Sequence, residues 1–278
     1  MDAVHHGRSM ITPVCQRWRE RRDSYRPKGE VMDPREYEVS ALPTAEAKAF
    51  VISHHYSGTF PAARRSFALC RQGQLVGVAV FSHPASNAVL TKVFDGPAKE
   101  SIELGRFVLL DSVPANGETW FLARTFEALR KEGFRGVVAF SDPVPRTDGD
   151  GKVVFTGHIG NIYQASNAIF TGRGGAQIMR LLPDGSVLSA RAIAKIKAMD
   201  QGWQYASKIL IEHGADPLRI GADLFGAEDD PRDWTERWVS ALTRPVRHPG
   251  NWRYVFPLQR KVKSKLPALP YPKFGARP

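Results

Sequence analysis

The sequence contains little cysteine and no long apolar run. Its 278 residues include only Cys15 and Cys70, which fit neither a metal-binding spacing nor a disulfide framework. This scarcity favours a reducing compartment, and we expect the cytoplasm. No stretch approaches the roughly 20 apolar residues that cross a bilayer, so we expect no membrane partner. The basic first residues have no apolar segment behind them, so we expect no secretory signal.

Acidic residues are missing from the last 35 positions, although the whole chain carries 28 of them and a net charge of +11. This segment carries nine basic residues: Arg244, Arg247, Arg253, Arg260, Lys261, Lys263, Lys265, Lys273 and Arg277. Such a segment attracts a polyanion with an affinity that falls as salt rises. A solvated tail that aids solubility explains the same composition equally well.

The pattern of residues divides the chain into three regions. Residues 1–35 are polar and rich in arginine, which indicates a basic N-terminal arm that is flexible or forms a short helix. Residues 36–188 alternate predicted strands and helices and form the predicted catalytic domain. Residues 189–278 form a predicted helical extension that ends in the basic C-terminal tail.

Hairpins and helical crossovers alternate within residues 36–188. Strands are predicted at 36–42, 66–71, 75–82, 102–110, 137–140, 178–183 and 186–188, and helices at 44–54, 118–132 and 161–167. Beyond them, helices are predicted at 190–199, 203–213 and 234–242, and a strand at 252–258. We therefore predict an α/β (α+β) fold: a mixed, mostly antiparallel sheet flanked by helices, with a helical C-terminal extension.

This order of strands and helices is that of the GNAT acetyltransferase superfamily. Four local stretches are more specific, and together they resemble the Mom family of phage DNA-modification proteins. They are His54-His55-Tyr56-Ser57-Gly58, Glu103-Leu104-Gly105-Arg106-Phe107, Ser141-Asp142-Pro143, and the eleven residues from Gly157 to Asn167. The resemblance covers roughly residues 36–182 and implies a GNAT-like fold.

The resemblance also implies a function. Mom proteins convert adenine in phage DNA to N6-carbamoylmethyladenine, which protects the DNA from host restriction. The chain would then be a transferase in the cytoplasm of a bacterial host cell, with DNA and an unidentified activated donor as partners. A homodimer is a candidate assembly.

The connection Asp111–Glu118 departs from ordinary GNAT enzymes. Those enzymes bind the pyrophosphate of coenzyme A with a glycine-rich turn at a helix N-terminus. Here the turn has one glycine, a proline that lacks an N–H donor, and two acids that oppose an anion. We expect a coenzyme A-type donor to bind weakly or not at all, and the donor stays unknown.

Modification of adenine needs an extruded base and a group that manages a proton. Asp142 follows a buried strand, and the resemblance favours it as the general base over a turn-forming aspartate. Tyr163 and Asn167 lie four apart on the predicted helix and would face the same way, the first for stacking or proton donation and the second for the adenine edge. Ser141 is a further catalytic candidate.

A second set of residues is predicted to bind substrate or DNA: His54, His55, Tyr56, Glu103, Arg106, His158, Gln164, Arg64, Arg65 and Arg173. His54 or His55 together with Tyr56 is a candidate site for iron or another metal. The alternative is that the histidine only stabilises the C-terminal end of the helix. Strand alternation puts Glu103 and Arg106 on opposite faces of the sheet. A structural ion pair explains the presence of these charged residues as well as a contact with substrate does.

Two other functions fit the same features. One is a GNAT acetyltransferase acting on a small-molecule or protein amine, which the turn at Asp111–Glu118 disfavours. The other is a non-catalytic DNA-binding protein that uses the basic tail and leaves the candidate catalytic residues unexplained.

Overall fold

The computed structural model describes residues 14–19, 22–27, 31–221 and 228–273, the first two ranges as backbone only. The strands are β1 Val14–Arg19, β2 Arg22–Pro27, β3 Tyr37–Ala41, β4 Ala63–Arg71, β5 Gln74–Ser82, β6 Ser101–Leu109, β7 Gly136–Ser141, β8 Arg146–Thr147, β9 Val153–Phe155, β10 Ile169–Arg173, β11 Gln177–Leu181, β12 Val187–Leu188, β13 Arg244–His248 and β14 Trp252–Pro257. The α-helices are α1 Thr44–His54, α2 Ala88–Thr91, α3 Gly117–Lys131, α4 Asn161–Ala165, α5 Ala190–Ala198, α6 Trp203–Glu212 and α7 Pro231–Leu242.

Contacts group the chain into two compact units. The first comprises Met1–Pro143, Gly157–Gly174 and Asn251–Pro278, and the second comprises Val144–Thr156 and Gly175–Gly250. The predicted domain boundaries after residues 35 and 188 differ from this grouping and stay a prediction. No helix in the described ranges is both long enough and apolar enough to span a membrane.

The first unit is built on a seven-stranded sheet in the order β10-β14-β7-β6-β5-β4-β3. Strands β6 and β7 run parallel, and the other neighbouring strands run antiparallel. Gln72 and Gly73 both have positive φ, 50° and 77°, which closes β4 and β5 into a tight hairpin. The predicted α/β class, its mixed and mostly antiparallel sheet and the GNAT-like order of elements are confirmed.

The two faces of this sheet pack against different elements. One face carries the largest cluster of buried side chains, in which Phe121 and Leu129 of α3 and Tyr163 of α4 pack with Ala139 and Phe256. On the other face, the α1 side chains pack on Val78, Val80 and Val108, and α2 packs near Val138 and Val255. We call these the α3 face and the α1 face.

Parallel strands β6 and β7 separate before either of them ends. Their pairing runs from Ser101 opposite Gly136 to Leu104 opposite Ala139 and then stops, whereas β6 continues to Leu109 and β7 to Ser141. The strands therefore diverge, and a gap opens between them beyond Leu104.

The second unit contains the three-stranded sheet β12-β11-β13 and the hairpin of β8 and β9. Helices α5, α6 and α7 share an apolar cluster that includes Ile196, Leu210 and Val239. Strands β11 and β12 confirm the predicted hairpin, and α5 to α7 confirm the predicted helices.

Two expectations about local structure are wrong, and some strands were not predicted. The basic arm contains the antiparallel hairpin of β1 and β2 rather than a flexible segment or a helix. Helix α4 ends at Ala165, and Asn167 has a left-handed backbone with φ of 58°, so Tyr163 and Asn167 do not share a helical face. Strands β10 and β13 were not predicted, because short strands rich in glycine, arginine or proline lack a period-two apolar pattern.

Candidate active site

A bulge in β6 places Glu103 and Arg106 on the same face of the sheet. Val80 pairs with Arg106 and Phe81 pairs with Leu104, so one step along β5 spans two steps along β6, and Gly105 is the extra residue. A Cβ on Gly105 would lie 2.5 Å from the Ser82 Oγ and 3.1 Å from the Pro61 Cγ, which explains the glycine. The prediction of opposite faces is wrong because alternation fails across a bulge.

Arg106 is held by backbone and side-chain oxygens. Its Nε donates to the Thr59 carbonyl at 2.9 Å, its Nη2 to the Thr59 Oγ1 at 2.7 Å, and its Nη1 to the Gly105 carbonyl at 2.6 Å. Burial lowers the pKa of Arg106, while the neighbouring Tyr56 and Glu103 act to raise it. The guanidinium is therefore a fixed positive charge in a partly desolvated position.

Glu103 titrates near neutral pH. Burial raises the pKa of its carboxyl from 4.5 to about 7, and the positive charge of Arg106 offsets part of that rise. A carboxyl with this pKa can accept a proton at physiological pH and release it again. Such a shift is typical of functional sites, although structural carboxyls also show it.

His55 and Tyr56 join this group from the end of α1. The pKa of His55 lies well below its usual value because the ring is desolvated and lies near Arg106 and His158. The backbone N–H of Ser57 donates to the His55 Nδ1 at 3.1 Å, so the neutral ring carries its proton on Nε2. The Tyr56 ring lies 4.3 Å from the His55 ring and 6.2 Å from the His158 ring, measured between centroids.

Tyr163 connects the two faces of the sheet. Its ring packs on the α3 face, with its centroid 5.3 Å from that of Tyr254, whereas its hydroxyl lies near Glu103, Arg106 and Tyr56. The hydroxyl donates to the Phe140 carbonyl of β7 at 3.5 Å, the long end of hydrogen-bond distances. The side chain therefore passes through the gap between β6 and β7. Burial raises the pKa of Tyr163, so its hydroxyl stays protonated.

The structure thus brings six predicted residues together: His55, Tyr56, Glu103, Arg106, His158 and Tyr163. We call them the polar cluster. Asp142 follows β7 directly, and its backbone carbonyl accepts the N–H of His158 at 2.8 Å, which places the main chain of Asp142 beside the cluster. His54 has a different neighbour, because its ring lies 4.6 Å from that of Phe50 on the same helix.

The predicted residues Ser141 and Gln164 lie around Tyr254 instead. The Gln164 side-chain amide donates to the Ile159 carbonyl and the Tyr254 hydroxyl, both at 3.1 Å. The Tyr254 hydroxyl donates to the same carbonyl, and its pKa is raised to about 12, mainly by burial. Ser141 is buried and also lies beside the Tyr254 hydroxyl. These contacts hold the Gly157–Asn167 segment against β14.

The predicted residues Arg64, Arg65 and Arg173 all make contacts within the chain. Arg64 donates to the carbonyls of Ser101 at 2.8 Å and Lys99 at 2.9 Å, and Arg65 forms an ion pair with Glu132 at 2.5 Å. Arg173 is exposed, and its guanidinium lies 5.8 Å from the centre of the Trp252 ring. Their predicted role in holding DNA stays a prediction.

The donor set does not fit the candidate metal. Within the part of the chain that the structure describes, no group of three or more His, Cys, Asp or Glu side chains is arranged to hold a metal ion. His55 and His158 approach each other, but their other close neighbours are tyrosines and the positively charged Arg106. These described side chains are therefore not a ligand set suited to iron.

The turn before α3 is covered by another segment of the chain. Val113 and Ala115 are buried, and the Ala115 carbonyl accepts the N–H of Met32 at 3.1 Å. Asn116 has a left-handed backbone with φ of 69° and caps α3 without a side-chain hydrogen bond. This compact turn differs from the open, glycine-rich loop that binds a pyrophosphate.

Sequence reasoning missed the residues that position the cluster. Thr59 orients Arg106, Ser57 fixes the tautomer of His55, and Gly105 sets the bulge. A glycine inside an apolar strand is a known signal for a bulge, and it was available at Gly105. The sequence offers no comparable signal for Thr59, because its contact spans 47 positions.

Fold and site together define a mixed α/β protein with GNAT-like order and a titratable cluster beside two diverging parallel strands. A comparison with protein families matches residues 36–222 to the Mom protein family. The match spans more than half of the chain, and the chain belongs to this family. No curated protein sequence matches the chain.

Solved structures with a similar fold have low sequence identity to this chain. A tandem GNAT protein from the clavulanic acid biosynthesis pathway is 9% identical with a TM-score of 0.42, and the match covers 81% of this chain and 100% of that one. A Bacillus subtilis acetyltransferase in complex with CoA is 11% identical with a TM-score of 0.32, covering 81% and 99%. A GNAT family N-acetyltransferase from Escherichia coli is 14% identical with a TM-score of 0.29, covering 39% and 64%.

Proposed function

We propose that this protein attaches a carbamoylmethyl group to the N6 amine of adenine in DNA and thereby protects that DNA from restriction. Membership of the Mom family supports DNA modification. The observation that carries the chemistry is the polar cluster, in which a carboxyl with a pKa of about 7 lies near a fixed guanidinium and neutral histidine.

Glu103 is the proposed general base. The new N–C bond replaces one hydrogen of the N6 amine, and that hydrogen leaves as a proton that a neighbouring group accepts. A carboxyl with a pKa near 7 is charged in a large fraction of molecules at neutral pH and becomes neutral on accepting the proton. Asp142 stays the rival base, because its main chain lies beside the cluster.

Arg106, His55 and Tyr163 are proposed to hold the transferred group. Each of these side chains carries a hydrogen-bond donor. They are the guanidinium of Arg106, the Nε2–H of His55 and the protonated hydroxyl of Tyr163. The new bond forms between N6 and the methylene carbon, while the bond from that carbon to the leaving group of the donor breaks and its electron pair departs with the leaving group. Fixed donors that hydrogen-bond the carbamoyl oxygen would orient the methylene carbon toward the amine.

The activated donor stays unidentified. We propose that it is not held by a pyrophosphate-binding loop, because the turn before α3 packs against Met32 and carries Asp111 and Glu118. A direct binding measurement with coenzyme A tests this proposal, and affinity comparable to that of acetyltransferases would contradict it.

The test is mass spectrometry of nucleosides from plasmid DNA that is co-expressed with the protein and with Glu103→Gln. Wild-type protein is expected to yield carbamoylmethyl-deoxyadenosine. Glu103→Gln keeps the shape of the side chain but cannot accept a proton, so the yield is expected to fall by about a hundredfold or more. Glu103→Asp, which keeps the acid, is expected to retain part of the activity.

Glu100→Gln is the matched control, because Glu100 lies just before β6 and forms an ion pair with Arg135 at 3.3 Å. It is expected to leave the yield unchanged. Loss of modification in Asp142→Asn but not in Glu103→Gln would transfer the role of base to Asp142. Unmodified deoxyadenosine with well-folded wild-type protein would contradict the proposed function.

A further inference from the structure

The last described residues of the basic tail pack against the rest of the first unit. Residues 258–273, which we call the C-terminal strap, form three backbone hydrogen bonds of 2.8 Å. Leu258 donates to the Arg135 carbonyl, Lys265 donates to the Val93 carbonyl, and Leu269 donates to the Phe170 carbonyl. The Tyr271 hydroxyl also donates to the Ala168 carbonyl at 2.6 Å. The strap is therefore an ordered element of the first unit.

Apolar and basic side chains have different environments in this strap. Val262 is 7% exposed and belongs to the cluster of Leu90, Val93 and Phe94, and Leu266 packs against the same cluster. The basic side chains of Arg260, Lys261 and Lys263 are exposed. No Asp or Glu occurs in residues 258–273, and Lys265 is paired with Asp95 at 3.5 Å.

The strap lies on the face of the sheet to which Glu103 belongs. Val262 shares its cluster with Val138 and Val255. Val138 is the parallel register partner of Glu103, and paired residues of neighbouring strands point to the same side of a sheet. The α1 face therefore carries the proposed base and also the strap with its exposed cations.

We propose that Arg260, Lys261 and Lys263 bind the phosphate backbone of duplex DNA on the α1 face, at the end of the sheet where β7 begins. This inference rests on the proposed function. Because the strap is already ordered, binding loses little backbone entropy, and phosphate contacts fix register without reading sequence. Residues 258–266 contain no aromatic side chain, whereas single-strand binding relies on aromatic stacking.

The test is the salt dependence of binding to a short labelled DNA duplex, followed by fluorescence anisotropy. Arg260→Ala, Lys261→Ala and Lys263→Ala are combined in one variant that leaves the anchors Val262 and Leu266 in place. If each cation contacts one phosphate, the slope of log affinity against log salt becomes shallower by about 2.7. Between about 50 and 200 mM salt, the wild type then loses about 40-fold more affinity than the variant.

The matched control combines Arg124→Ala, Arg130→Ala and Lys131→Ala. These side chains are exposed on α3, which packs on the opposite face, and their loss changes the net charge by the same amount. The control is expected to keep the wild-type slope. Equal slopes for the strap variant and wild type, or equal losses in both variants, would overturn the proposal. Stronger competition by single-stranded RNA than by duplex DNA would also overturn it.

Glu103→Gln separates this inference from the proposed function. It is expected to bind duplex DNA with wild-type affinity and slope while modification is lost. A protein that modifies adenine but whose strap variant binds normally contradicts the strap proposal alone. A protein that binds duplex through the strap but never alters its DNA contradicts the proposed function alone. Circular dichroism establishes that each variant is folded.

Discussion

The two faces of the seven-stranded sheet differ in what covers them. The α3 face is closed by aromatic and aliphatic side chains such as Phe121, Phe126 and Phe256, with the Phe126 and Phe256 rings 4.8 Å apart. The α1 face combines smaller apolar clusters with Glu103, Arg106 and the cations of the strap. The largest apolar cluster and the charged residues Glu103 and Arg106 therefore lie on opposite sides of the same strands.

One inserted residue creates much of this difference. Without the bulge at Gly105, strict alternation would leave Glu103 and Arg106 on opposite faces. One of these charges would then enter the aromatic core of the α3 face, where an unpaired charge is strongly disfavoured. The bulge keeps both charges on the α1 face while Leu104 and Phe107 stay on the α3 face.

The largest effect that we expect from the residues of the α1 face is a pH dependence of the modification rate. The base must be deprotonated, and the pKa of Glu103 is about 7. The initial rate of modification by purified protein is expected to fall about tenfold for each pH unit below that value and to level off above it. A rate that stays constant between pH 5 and pH 8, measured with saturating DNA, would contradict the role of Glu103.

The same shift predicts a pH-dependent stability. The pKa of Glu103 is raised in the folded state, so folding favours its protonated form. The contribution of Glu103 to the free energy of unfolding is therefore largest below pH 4.5, the ordinary pKa of this carboxyl. That contribution decreases as the pH rises to about 7. Glu103→Gln is expected to remove this contribution, which urea unfolding across that pH range measures.

Gly105→Ala tests the bulge itself. Its Cβ would lie 2.5 Å from the Ser82 Oγ and 3.1 Å from the Pro61 Cγ, so these side chains, or the backbone that carries them, must shift. We expect a loss of about 1–3 kcal/mol of unfolding free energy, measured by chemical denaturation, together with reduced modification. Adding Ser82→Ala is expected to restore part of both losses.

Gly175→Ala is a suitable control, because no atom lies within 4 Å of its added Cβ. It is expected to change stability by less than about 0.5 kcal/mol. If Gly105→Ala is equally neutral and leaves modification intact, the bulge does not position the site.

The smallest expected effects separate the anchors of the strap from its cations. Val262→Ala removes buried methyl groups and is expected to cost about 1.5 kcal/mol of unfolding free energy. Lys261→Ala removes an exposed side chain and is expected to change stability by less than about 0.5 kcal/mol. Equal thermal denaturation of the two variants would indicate that the strap is not packed as described.

Periodicity and turn signals were sufficient to predict most elements of the first unit, because local pattern governs where strands and helices form. The hairpin of β4 and β5 and helix α3 are examples. The placement of β14 between β10 and β7 was not predictable, since pairing between distant segments leaves no local signature.

The candidate site was predicted as a set of residues but not as an arrangement. Six of the chosen residues meet in the polar cluster, whereas Gln164 contacts Tyr254 and Asn167 lies outside α4. The sequence favours Asp142 as the base, whereas the structure supports Glu103, whose raised pKa arises mainly from burial in the folded protein. Desolvation is a property of the folded surroundings, which a local motif does not record.

The position of β14 has a consequence for the time at which this protein becomes active during its synthesis. Trp252–Pro257 forms the strand between β10 and β7, so the sheet beside the polar cluster is completed by residues that leave the ribosome after every α-helix in the described ranges. A chain interrupted within the second unit lacks β14 and leaves an edge of β7 unpaired. The seven-stranded sheet can therefore be completed only when nearly all of the described chain has been made, and we expect prematurely terminated products to be inactive.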